Sequence, residues 1–362
     1  MATSPARTVA DIPHAAVQLP AVEVDSYNAE LRDGDEDGFI GDRVSKRAFR
    51  DLIEDWRERL RQLGEDPLGA TPSQDFTKKK LDRLLLEGTP EAAGVIQGAI
   101  EDFSQELATV VRRFLRHKGW RDTARIVVGG GLSGSRVGRL VIGRATVILK
   151  ASGTDLSLVP IRHHPDEGGL IGAVHLAPAW IFSGHDSLLA VDIGGTNIRA
   201  GVVATNLRKA PDLSRAAVRR VELWRHRGEE PGPSRDAAVE RLAAMLSGLV
   251  ERARRDGLAL APFIGVGCPG VIEGDGRISR GGQNLPGNWE SSRFNLPRAL
   301  REAIPTIDGH PTMIVMHNDA VVQGLSEVPF MRDVPRWGVL TIGTGLGNAR
   351  FSNRAAEARD EA

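Results

Sequence analysis

Leu188-Leu-Ala-Val-Asp192-Ile-Gly194-Gly195-Thr196-Asn197-Ile-Arg199-Ala-Gly-Val-Val203 and Trp337-Gly-Val-Leu-Thr-Ile342-Gly343-Thr344-Gly345-Leu-Gly347-Asn348-Ala-Arg350-Phe351 follow one pattern. Each is an apolar run, a Gly/Thr turn and a second run. This predicts two β-hairpins with tight, hydroxyl-bearing tips. Glycine lets backbone N–H groups approach an anion closely, and threonine adds a donor. Two such tips facing one another would grip the phosphates of a nucleotide from both sides. A P-loop or a dinucleotide-binding turn needs a strand, a glycine turn and then a helix. Here Ile198-Arg-Ala-Gly-Val-Val203 after the turn has the pattern of a strand, which disfavours both. The plain alternative is an ordinary hairpin with a Gly-Gly turn. Asp192, at the end of the first strand, suits a carboxylate holding hydrated Mg2+ near phosphates.

The chain has 362 residues, enough for one large domain or two of ordinary size. With 41% hydrophobic and 26% charged residues it has the composition of a soluble globular protein. Its 47 Lys+Arg balance 47 Asp+Glu, which argues against a nucleic-acid binder driven by bulk electrostatics. The single Cys268 excludes an intrachain disulfide and a multi-cysteine metal site. No apolar run reaches membrane-span length. The start, MATSPARTVADIPHAAVQLP, lacks the basic-then-apolar order of a signal peptide. The expectation is a cytoplasmic enzyme with no membrane or nucleic-acid partner.

Residues 1 to about 32 look irregular, and Asp33 to Asp42 is an acidic turn. Helical spacing predicts an amphipathic helix over 45–63, then a loop over 64–80. Thr89-Pro90 opens a long helix to about His117, with Thr as N-cap and Pro in the first turn. Arg125 to Gly131 is a buried strand ending in a glycine turn. Leu140 to Leu149 is read as helix then strand, and Leu156 to Ile161 as a short strand. Glu167 to Ala177 is a helix of small residues. After the first hairpin come a strand (218–224), a helix (234–255), a strand broken by a Gly/Pro turn (263–272) and a loop (281–289). Ile314 to Met316 leads into His317-Asn318-Asp319-Ala320, which opens a helix to about Glu327. Strands alternating with helices, plus two hairpins, indicate an α/β fold.

Asp192-x-Gly-Gly-Thr, Asn318-Asp319-Ala320 and Gly343-Thr-Gly-x-Gly347, in that order over residues 188 to 353, resemble the ROK family of sugar kinases, within the hexokinase–actin–Hsp70 superfold. The resemblance implies two ribonuclease-H-like α/β domains with ATP in the cleft between them. It makes Asp192, Gly194, Gly195, Thr196, Asn197 and Arg199 one phosphate loop, and Gly343, Thr344, Gly345 and Gly347 the other. It makes Asp319 the general base toward a sugar hydroxyl and Asn318 a sugar ligand. Gly267-x-Pro269-Gly270 and Asn284-Leu-Pro-Gly-Asn-Trp289 look like the segments lining the sugar side. The physics agrees, since phosphoryl transfer is mostly positioning plus electrostatics, and a carboxylate against the acceptor hydroxyl is a reasonable base. The plain reading of Asn318-Asp319 is a helix N-cap, and both roles can hold together.

In that family phosphate loop 1 lies near the N-terminus, and the adenosine-binding half follows loop 2. Here about 185 residues precede loop 1. Ile126-Val-Val-Gly129-Gly130-Gly131-Leu132 resembles the family's adenosine-contacting strand and glycine turn, and Pro165 to Ala177 its final helix. The implied arrangement is a circular permutation. Residues 1–165 and 317–362 would form the larger lobe and 166–316 the smaller, with residues near 10 to 30 beside residue 353. Asp11-Ile-Pro-His14 resembles a remnant of the family's Glu-x-Gly-His, with Asp for Glu and Pro for Gly, and the family's further sugar-binding Glu has no clear counterpart beyond a guess at Asp42. The zinc cysteines of that region are absent, so no structural zinc is expected. A homodimer is expected by resemblance alone.

Several patterns carry less. Asp33-x-Asp35-x-Asp37-Gly38-x-Ile40 matches the start of an EF-hand loop, but Val44 stands where a bidentate Glu is required, so a solvated acidic turn is expected. His163, His164 and His175 have no metal-site spacing. Arg219-Arg220 and Trp224-Arg-His-Arg227 are expected on an exposed strand face. The expectation is ATP- and Mg2+-dependent phosphorylation of a hexose or amino sugar, glucokinase-like. Its rivals are a non-catalytic sugar- or nucleotide-binding regulator of the ROK type and an ATPase of the same superfold with another substrate.

Overall fold

Both hairpins form, and each begins a five-stranded sheet. The computed structural model describes residues 12–34 and 38–354. In chain order the elements are β1 (Val22–Tyr27), α1 (Lys46–Arg61), α2 (Lys78–Glu87), α3 (Pro90–Arg116), β2 (Arg125–Gly129), α4 (Arg136–Ala151), β3 (Ser157–Pro160), α5 (Gly168–Ala173), β4 (Ser187–Ile193), β5 (Ile198–Ala204), β6 (Ala217–Trp224), α6 (Arg235–Arg255), β7 (Leu260–Cys268), β8 (Val271–Ile272), β9 (Ile278–Arg280), α7 (Leu296–Ala303), β10 (Thr306–Ile307), β11 (His310–Pro311), β12 (Met313–Asn318), α8 (Asp319–Leu325), β13 (Arg336–Ile342) and β14 (Leu346–Asn353).

One sheet has the order β12-β7-β4-β5-β6 and the other β3-β2-β13-β14-β1. In the first, the hairpin β4–β5 is antiparallel, β6 continues it antiparallel, and β7 and β12 add parallel on the other side. The second repeats this: β13–β14 is the hairpin, β1 continues it, and β2 and β3 add parallel. The two sheets therefore share one topology, but the second is assembled from both ends of the described chain. Its closing pair is Val22 opposite Asn353, with Arg354 N–H donating to the Ala21 carbonyl at 3.1 Å.

Three apolar cores follow from this layering. Between the sheets, α5 and α8 bury Leu170, Ile171, Val321, Val322 and Leu325 against Leu188, Ala190 and Phe263 on one side and Val339 and Phe351 on the other. The outer face of the first sheet packs on α6 and α7. The outer face of the second packs on α1 to α4.

Several local expectations need correction. Residues 22–27 are a strand, because Val22 and Val24 alternate inward and pair with β14. The 64–80 loop ends earlier than expected, since Thr77 caps α2 by accepting from Lys80 N–H. Residues 140–149 are helical throughout. Ser135 caps α4, and Val137, Val141, Ala145 and Leu149 bury one stripe, so tertiary packing overrides the β-branched content. Helix α7 was not anticipated; Asn295 caps it and Leu296 and Leu300 are buried. No described helix is long and apolar enough to cross a membrane.

Candidate active site

The two hairpin tips meet across a cleft of about 350 Å3. Thr196 Oγ1 and Thr344 Oγ1 lie 3.4 Å apart. Each tip is closed by one short backbone bond: Gly194 N–H donates to the Asn197 carbonyl and Gly343 N–H to the Gly345 carbonyl, both at 2.9 Å. The remaining tip N–H groups of Gly195, Thr196, Thr344 and Gly345 find no acceptor among the described residues. A pair of facing, unsatisfied N–H arrays is an anion cradle. The first tip is held from behind by His226, whose Nε2 lies 2.9 Å from the Gly194 carbonyl. This corrects the expectation for Trp224–Arg227: the arginines at 219 and 220 are exposed, but Trp224 and His226 are buried.

The ends of the parallel strands supply the carboxylates. Asp192 ends β4, and Asp319 follows β12 directly, at the first position of α8. Gly267, in the strand between them, backs Asp319, since a Cβ there would lie 3.6 Å from the Asp319 Cα. Burial first, and then the nearby Asp192 charge, push the Asp319 carboxyl up to about 7. Burial also raises Asp192, against which Arg199 works. Arg199 bridges Asp192 at 3.4 Å and Asp166. Asn318 is buried and fully engaged. Its Oδ1 accepts from Ala320 and Val321 N–H, and its Nδ2 donates to the Gly270 carbonyl at 2.9 Å. It therefore fixes Asp319 and the Gly270 turn relative to each other, and does not itself line the cleft.

The remaining predicted residues sort clearly. Asp192, Gly194, Gly195, Thr196, Asn197, Arg199, Pro269, Gly270, Asn284, Asp319, Gly343, Thr344, Gly345 and Gly347 line the cleft, as do Gly130 and Gly131. Gly130 has φ +86°, and a Cβ on it would overlap the Ile342 carbonyl, so the turn after β2 needs glycine to lie against the second hairpin. Gly129 sits one step deeper, against the Gln323 side chain. His14 does not join them. Its Nδ1 accepts from Met316 N–H at 3.1 Å, and it lines a separate, larger cavity of about 930 Å3 bordered by Trp180, Pro297 and Met313, whose lining does not include Asp319. Asp42 accepts from Phe39 N–H in its own turn and lies outside the cleft lining. Asp11, Asp35 and Asp37 lie outside the described residues. Asp33 is bound by Arg43. No cluster of three or more His, Cys, Asp or Glu able to hold a metal occurs among the described residues. His175 is buried and held near 4 by desolvation, and so stays neutral at pH 7.

The cleft also gathers residues that no sequence motif marked. Asn28, Glu30, Lys46, Asp166 and Gln323 all line it. Asn28 adopts φ +48°, a conformation Asn tolerates better than most residues, and its buried Nδ2 lacks a hydrogen-bond partner. The adjoining chain is clamped by Asn348, whose Oδ1 accepts from Ala29 N–H and whose Nδ2 donates to the Ala29 carbonyl. An orphaned amide at a polar cleft wall fits a hydroxylated ligand.

No protein-family model matches the chain, and no curated protein does. It is similar over part of its length to solved structures. One is the ROK hexokinase of Thermus thermophilus, at 24% identity over 37% of this chain and 35% of that one, with a TM-score of 0.25. Another is a Listeria monocytogenes protein assigned as an N-acetylmannosamine kinase, at 26% identity over 46% of this chain and 47% of that one, with a TM-score of 0.32. The chain thus spans about a third to a half of the length of these structures.

Proposed function

We propose that the protein transfers the γ-phosphoryl group of ATP to a sugar hydroxyl. The observation that carries this reading is the position of Asp319: a half-buried carboxylate in the cleft that the two facing Gly/Thr tips also line, titrating near neutrality. A base with a pKa near the working pH combines a useful ionised fraction with real basicity. Asp319 takes the proton of the acceptor hydroxyl, the oxygen attacks the γ-phosphorus, and ADP leaves. The tip N–H groups hold the phosphates, and the Gly129–Gly131 turn forms the adenosine side. Asn28, Glu30 and Asn284 line the sugar side, near Pro269 and Gly270.

The donor set also fits a divalent cation of the Mg2+ type. The Asp192 charge raises the proton affinity of Asp319, the Asp166 charge raises that of Asp192, and a cation near Asp192 relieves that repulsion. With no larger carboxylate cluster among the described residues, such an ion would be held mainly by water and phosphate oxygens. When bound, it supplies charge neutralisation on the phosphates.

The same reading takes the two sheets as ribonuclease-H-like halves of an actin-like fold in circularly permuted order. Their common strand order supports it, as does the assembly of one sheet from both chain ends. On this view the described residues up to 165 and from 319 on belong to one lobe and 166–318 to the other, because β12 of the first sheet runs to Asn318.

The test is ADP release by the purified chain with ATP and Mg2+ across a panel of hexoses and amino sugars. Asp319→Asn should lower turnover at least about a hundredfold while leaving the affinity for a nonhydrolysable ATP analogue nearly unchanged. Turnover at the wild-type rate would refute the assignment of the base.

A further inference from the structure

Lys46 occupies an unusual place. It opens α1, and its backbone N–H donates to the Gly343 carbonyl of the second tip at 3.0 Å. Its ammonium lies over the glycine turn after β2, where a Cβ on Gly131 would come within 2.9 Å of Nζ. The side chain thus lines the cleft between the second phosphate tip and the Gly129–Gly131 turn. It makes no hydrogen bond or ion pair among the described residues, whereas Arg199 in the same cleft is paired to Asp166 and Asp192. Arg50, also nearby, donates to the Phe76 carbonyl.

Its charged surroundings are mostly of its own sign. Desolvation against the cleft wall, followed by Lys78, Arg50 and Arg199, holds the Lys46 ammonium below its ordinary value, and Asp166 opposes them. Local helix energetics do not explain a lysine here. A cation in the first turn of a helix faces the positive end of the macrodipole, and α1 has no acidic residue in that turn to compensate. The docking of α1 on Gly343 uses the backbone alone, so any side chain would serve it. An unpaired ammonium, pressed by other cations and set beside unsatisfied tip N–H groups, is complete only with an anion.

We propose that Lys46 is a nucleotide-binding residue that pairs with the phosphates of the triphosphate donor. The inference deepens the kinase reading and rests on it. Helix α1 thereby ties a phosphate-holding cation to the second tip. The hairpin motifs do not encode that cation, because it arrives from about 300 residues away in sequence (Lys46 to Gly343).

Titration calorimetry with Mg2+ and a nonhydrolysable ATP analogue, repeated with adenosine, tests this. Lys46→Met should weaken the ATP analogue about ten- to a hundredfold, the loss of one charge-assisted hydrogen bond. Adenosine affinity and Tm should stay at wild-type values, and Lys46→Arg should recover part of the loss. Unchanged affinity of Lys46→Met for the analogue overturns the inference alone. Equal losses for the analogue and adenosine also overturn it, because they mark a structural effect. If the wild-type chain binds no ATP analogue, the kinase reading itself falls, and the inference with it.

Discussion

In the proposed role of general base, Asp319 acts only after it has lost its proton. With its carboxyl near 7 in the free protein, kcat/KM should rise about tenfold per pH unit below that value and level off above it. A profile flat from pH 5 to 8 would show that no group of this kind limits the reaction. Glu327 offers a control, because burial raises it to about 7 as well, yet it sits at the end of α8 and accepts from Arg162 N–H at 3.0 Å. Its unfolded value is near 4.5, so folding takes up a proton between the two values, and stability falls as pH rises through that window. The slope is at most about 1.4 kcal/mol per pH unit. Glu327→Gln should leave the activity limb in place and shrink the stability difference between pH 5 and pH 8 measured by urea unfolding. Asp192 and Asp319 were legible because each directly follows an apolar strand run at a turn or cap. Lys46, Asn28 and His226 were not, because only tertiary contacts bring them to the cleft and none stands in a recurring pattern.

Among the elements, α5 was readable as a helix of small residues, but its purpose was not. Gly168-Gly-Leu-Ile-Gly-Ala173 crosses α8 so closely that a Cβ on Gly172 would overlap the Val322 carbonyl oxygen. A Cβ on Gly169 would lie 2.6 Å from the Asp192 carboxyl carbon, so the same helix leaves room for that side chain. Because α8 begins with Asp319, the crossing sets Asp319 relative to Asp192. Gly172→Ala forces backbones apart that no rotamer change can relieve, and should cost about 2 to 3 kcal/mol. Thermal melting should show a Tm lower by several degrees; a melt unchanged within 1 to 2 °C, roughly the scale of a neutral surface change, would show that the crossing is slack. Strand β1 was missed because only Val22 and Val24 point inward, too short an alternation to stand out from irregular chain. Helix α2 was missed for a similar reason, since Leu81 and Leu84 are its only buried positions.

At the scale of the whole molecule, the pairing of the two hairpins was visible in their sequences, and the alternation of strands and helices gave the α/β class. The equivalence of the two sheets was implied by the resemblance alone and not by the residue pattern, because strand order depends on parallel pairings between segments far apart, such as Arg125 with Trp337 and Phe263 with Met313. Those pairings place α5 and α8 as the shared layer between the two sheets. On the proposed reading, phosphates enter between the tips only if the sheets part there, and the Thr196–Thr344 contact is where parting would begin. Hydroxyls 3.4 Å apart place the side chains close enough for a bridge to be attempted at those positions. In the Thr196→Cys, Thr344→Cys double variant, oxidation should cross-link the tips and abolish binding of a nonhydrolysable ATP analogue, and dithiothreitol should restore it. The native Cys268 is buried and should not compete. Full analogue binding by cross-linked protein, with the bridge verified by mass spectrometry, would mean that the phosphates reach their site without passing between the hairpins.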